Sequence, residues 1–246
     1  MKKKSRNREP CGLIFQASEL DLANLPRIDS HLHTSWTDGE ATVEAVYQAA
    51  IENGLVTVLF SEHSRKTSVD WFSSFASEVR ALPTLPCKAF VGTEVKVESR
   101  DGEIDTVPDI SDLCDFVMAS VHRFIDADGR TLQFSDTDPN EAEDLEFKLT
   151  WAVLANPQVD ILGHMFGMSY RRFKVIPSDD KICALISRAT EFGVAVEINS
   201  HYHPHPHKII QWCRERNALI TFGSNAHTLE SVGAVMRLLD KKAGNE

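Results

Sequence analysis

What this sequence lacks already narrows it. Five cysteines lie far apart (positions 11, 87, 114, 183 and 213), an odd count with no C-x-x-C pair. That usage fits reduced, mostly buried thiols in a cytoplasm better than a disulfide framework. Long apolar runs are missing too. The most apolar stretch, residues 149–170, is broken by Asn156, Pro157 and Asp160, so it reads as no membrane span. The basic start, residues 1–8, has no apolar segment of secretory length behind it. It reads as a solvated terminus, with a weak anion-binding arm as the alternative. Positive charge is in short supply: 26 Lys+Arg against 36 Asp+Glu leave a formal charge of −10. An acidic surface repels phosphate backbones and anionic lipid, which argues against nucleic acid or a membrane as partner. No linker rich in Pro, Gly or Ser divides the 246 residues. One domain over residues 27–246 behind an N-terminal extension, 1–26, is therefore expected. Assembly is left open, a homo-oligomer included. There is also no G-x-S-x-G elbow, no G-x-x-x-x-G-K-[ST] loop, no G-x-G-x-x-G and no H-E-x-x-H.

What is present is an alternation. Apolar, β-branched runs predict strands at 27–33, 55–62, 88–97, 116–121, 159–164, 195–199 and 218–223. Amphipathic patterns between them predict helices at about 42–53, 69–82, 141–156, 179–192, 207–217 and 229–242. Asn53-Gly54 and Phe192-Gly193 supply helix stop signals. Unbroken strand–helix alternation implies a parallel sheet, open or closed.

Each predicted strand ends in residues able to bind metal or take a proton: His31 and His33, His63, Glu94, His122, His164, Glu197 with Asn199, and Asn225 with His227. They recur at 28 to 42 residues, about one βα unit each. In a parallel barrel the C-terminal strand ends converge on one mouth, so these residues form a cup rich in histidine and carboxylate. His31-Leu-His33 puts two imidazoles on one side of a strand. Asp38, in the loop that follows, either swings back into the cup or serves its turn before Gly39. Glu94 is a carboxylate in a strand-like run, where burial is costly unless it is paired or metal-bound; a salt bridge to a nearby Arg or Lys is the alternative. Six of the ten histidines fall at strand ends, which favours a metal centre over unrelated core histidines.

The segment Asp29-Ser-His-Leu-His-Thr-Ser-Trp-Thr-Asp-Gly39 resembles the first motif of the PHP (polymerase and histidinol phosphatase) domain family. The likeness continues in order through Ser61-Glu-His-Ser, Gly92-Thr-Glu, Ala119-Ser-Val-His, Ile161-Leu-Gly-His, Glu197-Ile-Asn and Gly223-Ser-Asn-Ala-His, over about residues 27–230. Residues 92–105 are similar to those of stand-alone bacterial phosphatase-like members and of PHP domains in X-family polymerases. The resemblance implies a distorted (β/α)7 barrel with a metal cluster at the C-terminal face of its strands. It implies two to three divalent ions: one on His31, His33, Glu94 and Asn225, a second on Asp38, His63 and His227, a third on Glu94, His122 and His164. Such ligands suit zinc, manganese or iron. Two positions depart from the family pattern. Asn225 stands where Asp is usual, and Glu62 stands for the Asp before the second-motif histidine, where it is expected to orient His63.

The implied activity is hydrolysis of a small phosphomonoester, as in histidinol phosphatases, by metal-activated water, with Glu94, Asp38 and His227 as catalytic groups. A PHP-type nuclease is one alternative, and a metal-binding regulatory module without turnover is another. Arg171 and Arg172, just past His164, are either phosphate ligands or a solvated basic pair, and Arg123 is a weaker candidate of the same kind. The run 201–207, with histidines at 201, 203, 205 and 207, is a stiff polar loop, a substrate-contact loop or an extra ligand set.

Overall fold

Parallel strands buried on both faces read as continuous apolar runs, and that is how the middle of this chain reads. The computed structural model describes residues 12–243; the basic start and Cys11 lie outside them. Ten strands form: β1 (Phe15–Gln16), β2 (Ile28–Leu32), β3 (Thr57–His63), β4 (Lys88–Lys96), β5 (Phe116–Ser120), β6 (Phe124–Ile125), β7 (Thr131–Leu132), β8 (Ile161–Leu162), β9 (Ala195–Asn199) and β10 (Leu219–Gly223). Eight make one curled sheet in the order β1-β10-β9-β8-β5-β4-β3-β2, while β6 and β7 pair as a separate hairpin. Every pairing from β2 round to β10 is parallel, so seven strands share one direction.

Closure is confined to the top. Leu32 bridges Ala226 in parallel, with His33 N–H donating to the Ala226 carbonyl at 2.9 Å and Ala226 N–H to that of His31 at 3.0 Å. Asp29 clasps the same seam, accepting from the backbone N–H groups of Ser224 (2.9 Å) and Gly233 (2.8 Å). Lower down, β1 pairs antiparallel with β10. The described part of the segment set apart as an extension therefore adds a strand to the sheet. The result is the distorted seven-stranded barrel that the family resemblance implies.

The helices follow the sequence pattern: α1 (Val43–Glu52), α2 (Phe72–Arg80), α3 (Pro108–Ser111), α4 (Pro139–Val153), α5 (Gly167–Arg171), α6 (Asp179–Phe192), α7 (Pro206–Glu215) and α8 (Ala234–Ala243). Thr42 caps α1 by accepting from Ala45 N–H, and Gly193 ends α6 in the left-handed region at φ 64°. The strand expected over 159–164 shrinks to two residues because the Asp160 carboxylate takes the Val117 N–H at 3.0 Å. Short elements without a periodic signature, β1, α3, α5 and the β6–β7 hairpin, were not expected. The hairpin and α4 account for the long step from His122 to His164. No described helix is long and apolar enough to cross a membrane. Cys87, Cys114 and Cys213 are buried, and Cys183 is partly exposed.

Glu146 fastens α4 to α5, directly below His164. Its buried carboxylate accepts from Met168 N–H (3.2 Å), Ser169 N–H (2.7 Å) and Ser169 Oγ (2.6 Å). Burial raises its pKa to about 7. A carboxyl whose folded pKa is raised stabilises the fold fully below the unfolded pKa near 4.5, and that contribution is lost as pH rises through about 7. In urea unfolding followed from pH 5 to 8, Glu146→Gln is expected to flatten the fall in stability by up to about 3 kcal/mol. Glu146→Ala is expected to cost about 1–3 kcal/mol at pH 5 by stranding two buried N–H groups. Equal pH slopes in wild type and Glu146→Gln would remove Glu146 as the source.

Candidate metal centre

Because seven strands run in parallel, their C-terminal ends meet at one rim, and the expected residues arrive there from separate elements. His31 is the last residue but one of β2 and His33 follows the strand; His63 ends β3 and Glu94 lies near the end of β4. His122, His164 and the pair Asn225 and His227 come just after β5, β8 and β10, and Glu197 lies on β9. A register shift in β2 between Asp29 and Leu32 re-aims its last side chains, and the rings of His31 and His33 end 5.0 Å apart.

Glu94 is the hub. Its side chain is fully buried. Oε1 lies 2.8 Å from His164 Nε2 and 3.3 Å from His122 Nε2. Oε2 lies 3.1 Å from His63 Nδ1, 3.3 Å from His31 Nε2 and 3.6 Å from His33 Nε2. Asp38, more than half exposed, forms the outer node, 3.3 Å from His227 Nε2, 3.5 Å from His63 Nε2 and 4.0 Å from His33 Nδ1. The loop does swing back into the cup. Three sets of donor atoms crowd within 4.8 Å: His33, Asp38, His63 and His227; His31, His33 and Glu94; His63, Glu94 and His122. His33 and His63 each belong to two sets, so the sharing is wider than the partition the resemblance implies. Asn225 Oδ1 reaches within 3.3 Å of His33 Nε2.

The donors fit a divalent cation. His31 Nε2, His33 Nδ1, His63 Nδ1 and Glu94 Oε2 are buried without a hydrogen-bond partner. Each such atom costs about 1–3 kcal/mol if left unpaired, and all four face the crowded sets above. Imidazole nitrogen and carboxylate oxygen are a donor mixture suited to zinc, manganese or iron.

A layer behind the cluster aims it. Glu197 Oε1 lies 2.8 Å from His31 Nδ1, and its Oε2 accepts from His164 N–H at 2.6 Å. The carboxylate holds the proton on Nδ1, so Nε2 of His31 faces Glu94. Gly223 makes room for this: a Cβ there would overlap Glu197 Oε1 and lie 2.8 Å from His31 Cβ. The Asn225 carbonyl, 3.0 Å from His227 Nδ1, likewise turns Nε2 of that ring toward Asp38. Asn225 itself holds φ 53°, a conformation that Asn and Asp tolerate.

These contacts set the charges. Burial alone would raise the Glu94 pKa, but the imidazoles of His122, His31 and His63 hold it well below the usual carboxylate range. Burial opposes charge on His31, yet Glu197 and Glu94 raise its pKa well above the ordinary value. His33 is driven well below, by burial and by the neighbouring rings of His31 and His63. At Asp38 burial is outweighed by the His227 hydrogen bond and the charge of His63, so its pKa falls; that of His227 rises in return.

Other expectations land differently. Glu62 does not orient His63: it accepts from Thr34 N–H (2.7 Å) and from Thr37 Oγ1, holding the loop that carries Asp38. Neighbouring strand residues point to opposite faces, which is why an acid next to His63 serves another element. Arg172 lays its guanidinium over the Phe134 ring at 4.2 Å. Arg171 is close enough to His201 and Tyr202 to act on both electrostatically, and Tyr202 lies 4.3 Å from the His164 ring. Arg123 pairs with Glu98 at 3.3 Å. In the 201–207 run His203 is buried, with Nδ1 accepting from Asn199 N–H at 3.1 Å; His205 caps α7. The sequence reading did not single out the open cleft of about 620 Å³ beside the cluster. Trp36, Trp71, Arg65 and Lys96 rise there above Asp38, His63 and His122.

Comparison with known proteins agrees with this geometry. The PHP domain family model matches residues 29–201. The chain is 26% identical over 228 residues to a protein of Clostridium acetobutylicum named a probable phosphatase, covering 87% of this chain and 85% of that one. It is 24% identical over 230 residues to the DNA polymerase/3'-5' exonuclease PolX of Bacillus subtilis, but spans only 37% of that protein's length. Among solved structures, histidinol phosphate phosphatase of Lactococcus lactis, complexed with zinc, L-histidinol and phosphate, superposes with a TM-score of 0.63 at 20% identity, over 89% of this chain and 94% of that one.

The Asn225 geometry carries its own test. A carboxylate near a divalent ion is a stronger partner than an amide by about 1 kcal/mol or more. Asn225→Asp is therefore expected to tighten the strongest metal site at least several-fold in a chelator-competition titration. Unchanged affinity would take Asn225 out of the ligand set and leave that ion to His31, His33 and Glu94.

Proposed function

The chain belongs to the PHP domain family of phosphoesterases, and from that premise we propose that it hydrolyses a small, soluble phosphomonoester on two to three divalent ions. The observation that carries this reading is a buried histidine and carboxylate cluster beside an open cleft of about 620 Å³. His31, His33, Asp38, His63, Glu94, His122, His164, Asn225 and His227 are the proposed ligands. Bound zinc, manganese or iron would supply Lewis acidity toward phosphoryl oxygens and a nucleophile at neutral pH.

The chain's own residues divide the remaining tasks. Glu94, fully buried and held ionised, keeps the cluster together. Glu197 fixes the His31 ring and the backbone at His164. Asp38 and His227 stand where the cluster meets solvent and are assigned to the reacting phosphoryl end. Arg171 is the guanidinium assigned to phosphate oxygens; Arg172, stacked on Phe134, is not. L-histidinol phosphate, whose products accompany the Lactococcus structure, belongs to the proposed class. The polymerase relative favours a second reading, a nuclease, but the acidic balance of the chain suits a long anionic strand poorly.

A panel on metal-loaded protein decides between the two. Small phosphomonoesters are expected to turn over faster than single-stranded DNA. Arg171→Ala is expected to lower kcat/KM about 10- to 100-fold, the worth of one hydrogen bond to a charged group, with Arg172→Ala near wild type. Oligonucleotide degradation outpacing every monoester would put the nuclease in its place. A bound cluster with no turnover of any ester would instead favour a binding module.

A further inference from the structure

The cleft holds two cations that the metal cluster does not use. Arg65 follows His63 by two residues and Lys96 follows Glu94 by two, and His63 and Glu94 are register partners across β3 and β4. Lys96 ends β4, on the same face as Glu94 and about 6–7 Å further along it, while Arg65 lies in the loop just past β3. Arg65 and Lys96 thus form a ledge one step above the cluster, and both line the cleft.

Two of the nearby acids are committed elsewhere. Glu98 pairs with Lys66 and Arg123, and Asp105 accepts from Lys66 N–H at 2.9 Å. Asp70 lies on the cleft wall. Among the described residues, neither the Arg65 guanidinium nor the Lys96 ammonium forms an ion pair or hydrogen bond. Two like charges lining one cleft, neither in an ion pair among the described residues, leave an attraction for an anion unspent. Trp36 and Trp71, which also line the cleft, stack with ring centroids 5.8 Å apart, and Trp36 Nε1 donates to Glu78 at 2.7 Å.

We propose that Arg65 and Lys96 form a second anion subsite, which selects phosphomonoesters whose leaving group itself carries a carboxylate or a second phosphate. This rests on the reading above, in which the reacting phosphate lies over the cluster. The ledge takes the far end of the molecule, and the tryptophan pair covers the carbon frame between. A leaving group bearing an ammonium, that of L-histidinol phosphate included, is disfavoured by the same two charges, which narrows the class proposed above.

Matched esters test it on metal-loaded protein: phosphoethanolamine, glycerol 3-phosphate, 3-phosphoglycerate and fructose 1,6-bisphosphate. The two with a second anion are expected to exceed glycerol 3-phosphate in kcat/KM by at least about tenfold, the worth of one charge-assisted contact; whichever leads identifies carboxylate or phosphate as the preferred anion. Arg65→Ala and Lys96→Met should each erode that preference while leaving glycerol 3-phosphate within about threefold. No preference in the wild type, or an equal loss on every ester in the variants, would overturn the proposal. Binding gives a readout without turnover. Tryptophan fluorescence, sensitive to the cleft through Trp36 and Trp71, should report 3-phosphonopropionate binding at least about tenfold more tightly than propylphosphonate, with the difference gone in Lys96→Met. Discrimination in binding with no hydrolysis of any ester would leave the subsite standing and remove the hydrolase reading. Equal binding of the two phosphonates would do the reverse.

Discussion

The rim of this barrel is organised by one buried carboxylate. Among the described residues no Lys or Arg pairs with Glu94; five imidazoles approach its two oxygens instead, at 2.8 to 3.6 Å. A charge removed from water at that depth is tolerable only when surrounded by partners. The histidines in turn keep ring nitrogens that find no hydrogen bond. Carboxylate and imidazoles are mutually incomplete, and a shared cation answers both deficits. The same carboxylate draws on five elements, so the rim cannot be assembled until β2, β3, β4 and the ends of β5 and β8 have met.

That dependence explains where the fold is closed. Barrel closure occurs only at the upper seam, through the Leu32 and Ala226 bridge and the Asp29 clasp. The clasp sits next to His31, Asn225 and His227. Without it, the two ends of the sheet would separate at the point where the first and last ligands must share a site. Below, where no chemistry occurs, β1 occupies the edge of β10 instead. Glu62 and Glu146 serve the same end from behind, one holding the Asp38 loop and the other seating α5 beneath His164.

The fold was readable because its signals are local. Strand composition, helical periodicity and stop residues placed all seven parallel strands and six of the helices near their observed positions. The strand-end histidines were legible for a related reason, since one ligand per βα unit leaves a spacing in the chain itself. Features that depend on which neighbour a side chain meets were not. Nothing local separates Arg171, near Tyr202, from Arg172, stacked on Phe134. Glu62 looked like a partner for His63 by adjacency, and strand alternation sends it to Thr34 and Thr37. Glu197 stood at a strand end without declaring that it orients His31. Arg65 and Lys96 follow their ligands by two residues, a pattern that gains meaning only once β3 and β4 are in register.

Elemental analysis of purified, metal-reconstituted wild type beside Glu94→Gln tests the organising role of Glu94 most directly. An amide keeps the shape but removes the charge that the imidazoles surround. The account predicts two to three ions per wild-type chain and loss of more than one in the variant, because Glu94 takes part in more than one set of donors. Less than about half an equivalent in the wild type, or the same stoichiometry in both proteins, would contradict it.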